Sequence, residues 1–131
     1  MALADPDLPP GISLPELDVD PPRGFAADRY RALRTAYYEL PRRSRVIVAL
    51  RLSLWGRRPL TLRAIGELFG IGQERVRQFE RHAVWMLVLA WQPQRSPGDL
   101  TRSEQTALLV PVLSAALDRY PLDDPPAGRR R

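Results

Sequence analysis

Between residues 26 and 120 apolar residues recur at helical spacing, and strand-like alternation is almost absent. Asp28 is placed to cap a first helix running to about Glu39, with Tyr30, Leu33, Tyr37 and Leu40 on one stripe. Pro41 suits the first turn of a second helix, whose stripe is Val46, Leu50 and Leu54 and which Gly56 would close. Thr61 predicts the N-cap of a short third helix, 62–69, and the glycine-bearing "GIG" at 70–72 breaks it. A fourth helix is expected from Gln73 to Trp91, then a linker, "QPQRSPGD", at 92–99. The capping box "TRSE" at 101–104 opens a last helix toward Tyr120, with a kink expected at Pro111. The predicted fold class is all-α, a small helical bundle with an additional C-terminal helix.

The ends read differently. Residues 1–24 hold six prolines and five acids, with no hydrophobic period, and are expected to form a disordered acidic arm. The tail 121–131 is expected to be flexible, which leaves 25–120 as the folded domain. All twenty basic residues are arginine, and the formal net charge is +5. A lysine-free chain rich in alanine and proline fits a GC-rich coding sequence, but the distribution of charge says more. Residues 23–97 carry fifteen arginines against five acids, a local net of +10. A basic body with an acidic arm suits a polyanion-binding protein. With no cysteine and one histidine, neither disulfides nor a metal site is expected. No apolar run is long enough for a membrane span and no secretory signal is present, so a cytoplasmic, nucleoid-associated protein is expected.

The third and fourth helices and their turn read as a helix-turn-helix. Such a unit needs apolar anchors where the helices cross, a small residue at closest approach, and glycine where the turn becomes left-handed. Ile65, Phe69, Ile71, Val76 and Phe79 supply the anchors, Gly66 the close approach and Gly70 the turn. On the second helix of the unit, Gln73, Glu74, Arg77, Gln78 and Arg81 share a face opposite Val76 and Phe79. A solvated helix face is also polar, but these are the residue types that read base edges. Arginine pairs with guanine, glutamine with adenine, and glutamate accepts from cytosine.

The segments "LPRRSRVIVALRLSLWG" and "TLRAIGELFGIGQERVRQFERHA", with the spacing between them, resemble region 4 of bacterial sigma factors. The resemblance covers about residues 37–89 and is most specific over "ERVRQFE", 74–80. It implies a domain that binds the −35 promoter element and the flap of RNA polymerase. It implies further that Glu74 and Gln78 face bases in the major groove, that Arg77 lies near the backbone or a base, and that Arg75 sits toward the phosphates. Thr61 would offer backbone amides to a phosphate. The family pattern has arginine where this chain has Gln73. Nothing resembles the domain that opens the −10 element, so a complete sigma factor is not expected.

Arg57, Arg58 and Arg63 complete the expected phosphate contacts, and the arginines of "PRRSR", 41–45, suit either phosphate contact or plain solvation. His82 reads as a surface residue. "GELFGIG" lacks the strand, lysine and spacing of a nucleotide loop. No nucleophile, base and orienting group cluster together, so neither an enzyme nor a cofactor is expected. The leading expectation is a sequence-specific promoter-binding transcription factor, acting with RNA polymerase as a partial sigma beside a separate −10-binding subunit, or as a sigma-like regulator. An autonomous repressor or activator, a homodimer through 101–120, is the alternative. A third is a non-DNA-binding module that contacts polymerase or a sigma factor. One feature exceeds the motif's needs: "AVWMLVLAW", 83–91, is apolar all round. Trp85, Leu89 and Trp91 are expected to be covered by the last helix, through Leu109, Val112, Leu113, Ala116, Leu117 and Tyr120, or else by a partner.

Overall fold

The computed structural model describes residues 8–52, 54 and 58–117. They form five α-helices, α1 (Ala27–Glu39), α2 (Arg42–Arg51), α3 (Leu62–Phe69), α4 (Gln73–Trp91) and α5 (Arg102–Ala116), with a 3-10 turn at Pro97–Asp99. No strand occurs among the described residues; the nearest to one is an isolated antiparallel bridge between Leu17 and Leu117. The fold is all-α.

The nineteen-residue helix α4 is the axis of the molecule. Its N-terminal half packs with α2 and α3 around Val46, Ile47, Leu50, Ile65 and Val76. Its C-terminal half packs with α1 and α5 around Leu33, Tyr37, Leu87, Val88, Leu109 and Leu113. Thus α5 folds back on α4, and the stripe that could have served a second copy is buried within this chain: Leu109, Val112, Leu113 and Ala116 are fully covered. Among the described residues, no helix is long and apolar enough to cross a membrane.

Between α4 and the two flanking layers lies a buried carboxylate. Glu80 is 3 % exposed and faces Arg51 of α2, at 3.2 Å, and Arg102 of α5. Arg51 also donates from Nη1 to the Leu60 carbonyl at 2.9 Å, which fixes the chain leading into α3. One acid therefore ties the last helix to the helix-turn-helix.

Several expectations need correction. Asp28 does not cap α1. Ala26 stands at the N-cap, and Asp28 lies in the first turn, paired with Arg31 and favourably placed at the positive end of the helix dipole. Helix α2 ends at Arg51, so Leu54 is buried as part of the following turn; Gly56 lies outside the described residues, as does Tyr120. Pro111 sits inside α5 on its exposed side, where the carbonyl deprived of a donor can meet water.

The largest correction concerns the arm. Residues 8–24 are an extended strap laid over the bundle. Leu8, Ile12 and Leu14 pack against the α2–α3–α4 core, and Leu17 is buried in the other core. Tyrosines of α1 supply what the strap's backbone needs: Tyr37 donates to the Pro15 carbonyl at 2.7 Å, Tyr38 Oη accepts from Leu17 N at 2.9 Å, and Tyr30 donates to the Asp18 carbonyl. Asp18 N donates to the Ala116 carbonyl at 2.9 Å. Proline favours extended backbone, which needs no hydrophobic period to lie along a surface. Residues 1–7 and the tail 121–131 lie outside the described residues.

Candidate nucleic-acid interface

The shape of the site begins with a missing side chain. A Cβ on Gly66 would stand 2.6 Å from the Ile71 carbonyl oxygen, so only glycine lets the turn close on α3. Gly70 then takes the left-handed conformation, φ 70°, that ends the helix. At the other end of α3, Thr61 Oγ1 accepts from Ala64 N at 3.0 Å, as an N-cap should. Its oxygen is thus engaged as an acceptor within the helix. Ile65 and Val76 are fully buried between the two helices, with Phe69, Ile71 and Phe79 partly so. All seven packing positions have the roles their residue types require.

This packing holds the opposite face of α4 outward. Gln73, Glu74, Gln78 and Arg81 are exposed and Arg77 is half-buried. Positions 74, 77, 78 and 81 follow the three- and four-residue steps that bring side chains together on a helix. Arg77 and Glu74 form a two-pronged ion pair, with Nε donating to Oε1 at 2.9 Å. The hydrogen bond from Arg77 holds the Glu74 carboxyl below its usual range, and the same contact raises Arg77. Arg75 lies over the Phe79 ring, 4.7 Å from its centre, and donates to the Gln78 side-chain oxygen at 3.3 Å. This polar face is thus partly pre-ordered by its own side chains.

The flanking cations are arranged less uniformly. Arg58 is exposed ahead of α3, while Arg57 lies outside the described residues. Arg63 is exposed and pairs with Glu67 at 3.5 Å along α3. In "PRRSR", Arg45 points inward: it donates to the carbonyls of Leu40 and Tyr38 at 3.2 and 3.0 Å and lies over the Tyr38 ring. It serves the α1–α2 corner. Arg43 lies 5.5 Å from the centre of the Phe79 ring of α4.

The apolar end of α4 is only partly covered. Ala83, Val84, Leu87, Val88 and Trp91 are buried, but Trp85, Met86 and Leu89 remain 43 %, 39 % and 38 % exposed. Of the three residues expected to be hidden, Trp91 alone is. Helices α1 and α5 cover the buried side of this end, and the 3-10 turn approaches Trp85 at Gly98. A cleft there joins Arg81, His82 and Trp85 to Gly98, Arg102 and Gln105, a grouping that the sequence did not foretell. No local pattern could have revealed it, because its two walls are about twenty residues apart.

Residues 38–86 match the family model described as "Sigma-70, region 4". No curated protein and no solved structure matches the chain. The match spans α2, α3 and most of α4, the elements that build and present the polar face. Residues 38–86 are a sigma-70 region 4 domain, a DNA-binding helix-turn-helix of the kind found in sigma factors.

Proposed function

We propose that this chain is a promoter-binding transcription factor whose α4 enters the major groove and reads bases through Gln73, Glu74, Arg77, Gln78 and Arg81. The observation that supports it best is the outward display of these five side chains by a helix-turn-helix of the sigma-70 region 4 family. The N-terminal residues of a recognition helix are the ones that meet base edges. Arg57, Arg58, Arg63 and Arg75, with the first-turn amides near Thr61, contact phosphates and set the register. The pair between Glu74 and Arg77 places a carboxylate acceptor and a guanidinium donor side by side. Adjacent cytosine and guanine edges would accept that arrangement without the charges being separated.

In this reading the chain works with RNA polymerase, contacting its flap, and supplies −35 recognition as a partial sigma beside a separate −10-binding subunit, or as a sigma-like regulator. The burial of the α5 stripe within the chain favours this over a homodimer through 101–120. The deciding experiment is a pull-down of the tagged full-length chain from its native extract. Co-purification of polymerase core subunits, surviving nuclease treatment, is the expected result. Recovery of the chain alone, still able to bind duplex DNA, would favour an autonomous regulator.

A further inference from the structure

A cleft of about 690 Å³ opens where α4 leaves the helix-turn-helix and meets the turn into α5. That volume lies within the roughly 300–1,000 Å³ of ordinary small-ligand sites. Arg77, Arg81, His82 and Trp85 form the α4 wall, and residues 97–105, with Arg102, form the other. The second wall lies beyond residues 38–86, so the cleft is a feature of this chain's extension and not of the matched domain.

The extension wall is held in place by its own hydrogen bonds. Gln105 Nε2 donates to the Pro97 and Leu100 carbonyls at 2.9 and 3.3 Å. Arg102 is steered to the rim by the buried Glu80. Arg81, by contrast, makes no hydrogen bond or ion pair among the described residues, though it stands near enough to Glu74 to help lower its carboxyl. The Trp85 indole rests against Gly98, where a Cβ would come within 3.3 Å of the ring, yet 43 % of the residue is open to solvent. The site therefore offers cations at its rim and an aromatic surface beside them.

The geometry points to a nucleotide site in this cleft, with the base stacked on Trp85 and the phosphates on Arg81, His82 and Arg102. A bare phosphate would leave the indole wet, and an uncharged aromatic molecule would leave the Arg81 guanidinium unanswered. A nucleotide satisfies both, since every base has a face for stacking and arginine forks match phosphate oxygens. Paired bases inside a duplex have both faces covered, so duplex DNA cannot make the same contact. The nucleotide is either free or an unpaired unit of a strand; the recognising chemistry is the same.

Isothermal titration calorimetry on the full chain tests this with ATP, a short oligo-deoxyadenosine strand, adenosine and tripolyphosphate. Saturable binding of ATP or of the strand is expected, about tenfold or more tighter than adenosine or tripolyphosphate. Binding of ATP identifies a free nucleotide, and binding of the strand alone identifies an unpaired one. Trp85→Ala should weaken it by a similar factor while leaving the melting temperature and duplex affinity near those of the parent. Gln78→Ala should do the converse, so the cleft and the duplex-reading face can fail independently. Tripolyphosphate binding as tightly as ATP, an unaffected Trp85→Ala, or no binding of either nucleotide would overturn the assignment.

Discussion

At residue scale, the side chains that matter are fixed by neighbours of opposite character. Glu74 and Gln78 stand on the exposed polar face of α4 with arginines as their partners, so their loss removes acceptors without disturbing the core. Glu74→Ala or Gln78→Ala should each cost on the order of 1–3 kcal/mol on the preferred duplex and relax specificity at one base. Gln73→Arg should move preference toward guanine, because the guanidinium fork matches the guanine edge. Site selection from a randomised duplex pool measures both; an unchanged site for Gln73→Arg would show that residue 73 faces no base. Tyr37 is a different case. Burial is the main reason its phenol is pushed well above the ordinary value of about 10, and its proton is the one donated to Pro15. Since the folded phenol resists ionisation while the unfolded one does not, stability is fully present below about pH 10 and falls as pH rises past it. Tyr37→Phe should reduce this alkaline loss in melting curves. At neutral pH it should cost about 1–3 kcal/mol, because the Pro15 carbonyl loses its donor.

At the scale of elements, α4 cannot be considered apart from α5. Truncation after Gln94 removes Leu109, Val112, Leu113 and Ala116 from the core they share with α4 and α1. Each large apolar side chain returned to water forfeits about 1.5–3 kcal/mol. Several together rival the ~5–15 kcal/mol stability of a whole domain. The truncated chain should melt far lower or aggregate, and a monomer of equal stability in scanning calorimetry and sedimentation would contradict this. The ion cluster makes a second link between the same elements. Glu80→Ala leaves the largely covered Arg51 guanidinium without its carboxylate and should destabilise by about 3–5 kcal/mol in urea unfolding. Arg102→Ala should cost less, since its side chain is half exposed and Glu80 keeps Arg51. Equal losses for the two substitutions would mean that Arg102 carries more of the cluster than its exposure implies.

For the whole molecule, the separation of charge governs encounter with DNA. The helical body carries the arginine excess, and the acidic strap lies against it. If roughly 6–10 phosphates are neutralised, duplex affinity should fall by ~10³–10⁵ between 50 and 200 mM salt. Arg58→Ala should weaken all duplexes about equally and reduce the salt slope by about one, as a phosphate contact does. Fluorescence anisotropy across a salt series measures both. A flat response would argue for the non-DNA-binding module.

The bounds of α3 and α4, the capping box at Thr101 and the seven packing positions of the helix-turn-helix were all legible in the sequence, because each depends on residues a few positions apart. Capping, left-handed turns and helical periodicity are local physics. The composition of residues 8–24 suggested disorder, since proline and acid without a period cannot build a core of their own. Only the folded bundle supplies the tyrosines that anchor Pro15, Leu17 and Asp18. Likewise, the sequence required some cover for an all-round apolar helix end, but which of its residues would remain wet depended on how α5 and the turn at 97–99 lie across it. Glu80 is polar in the sequence and buried in the fold, since Arg51 and Arg102 converge on it from helices before and after its own. Contacts between distant segments are set by the packing of whole helices, and no local pattern encodes where two such faces will meet.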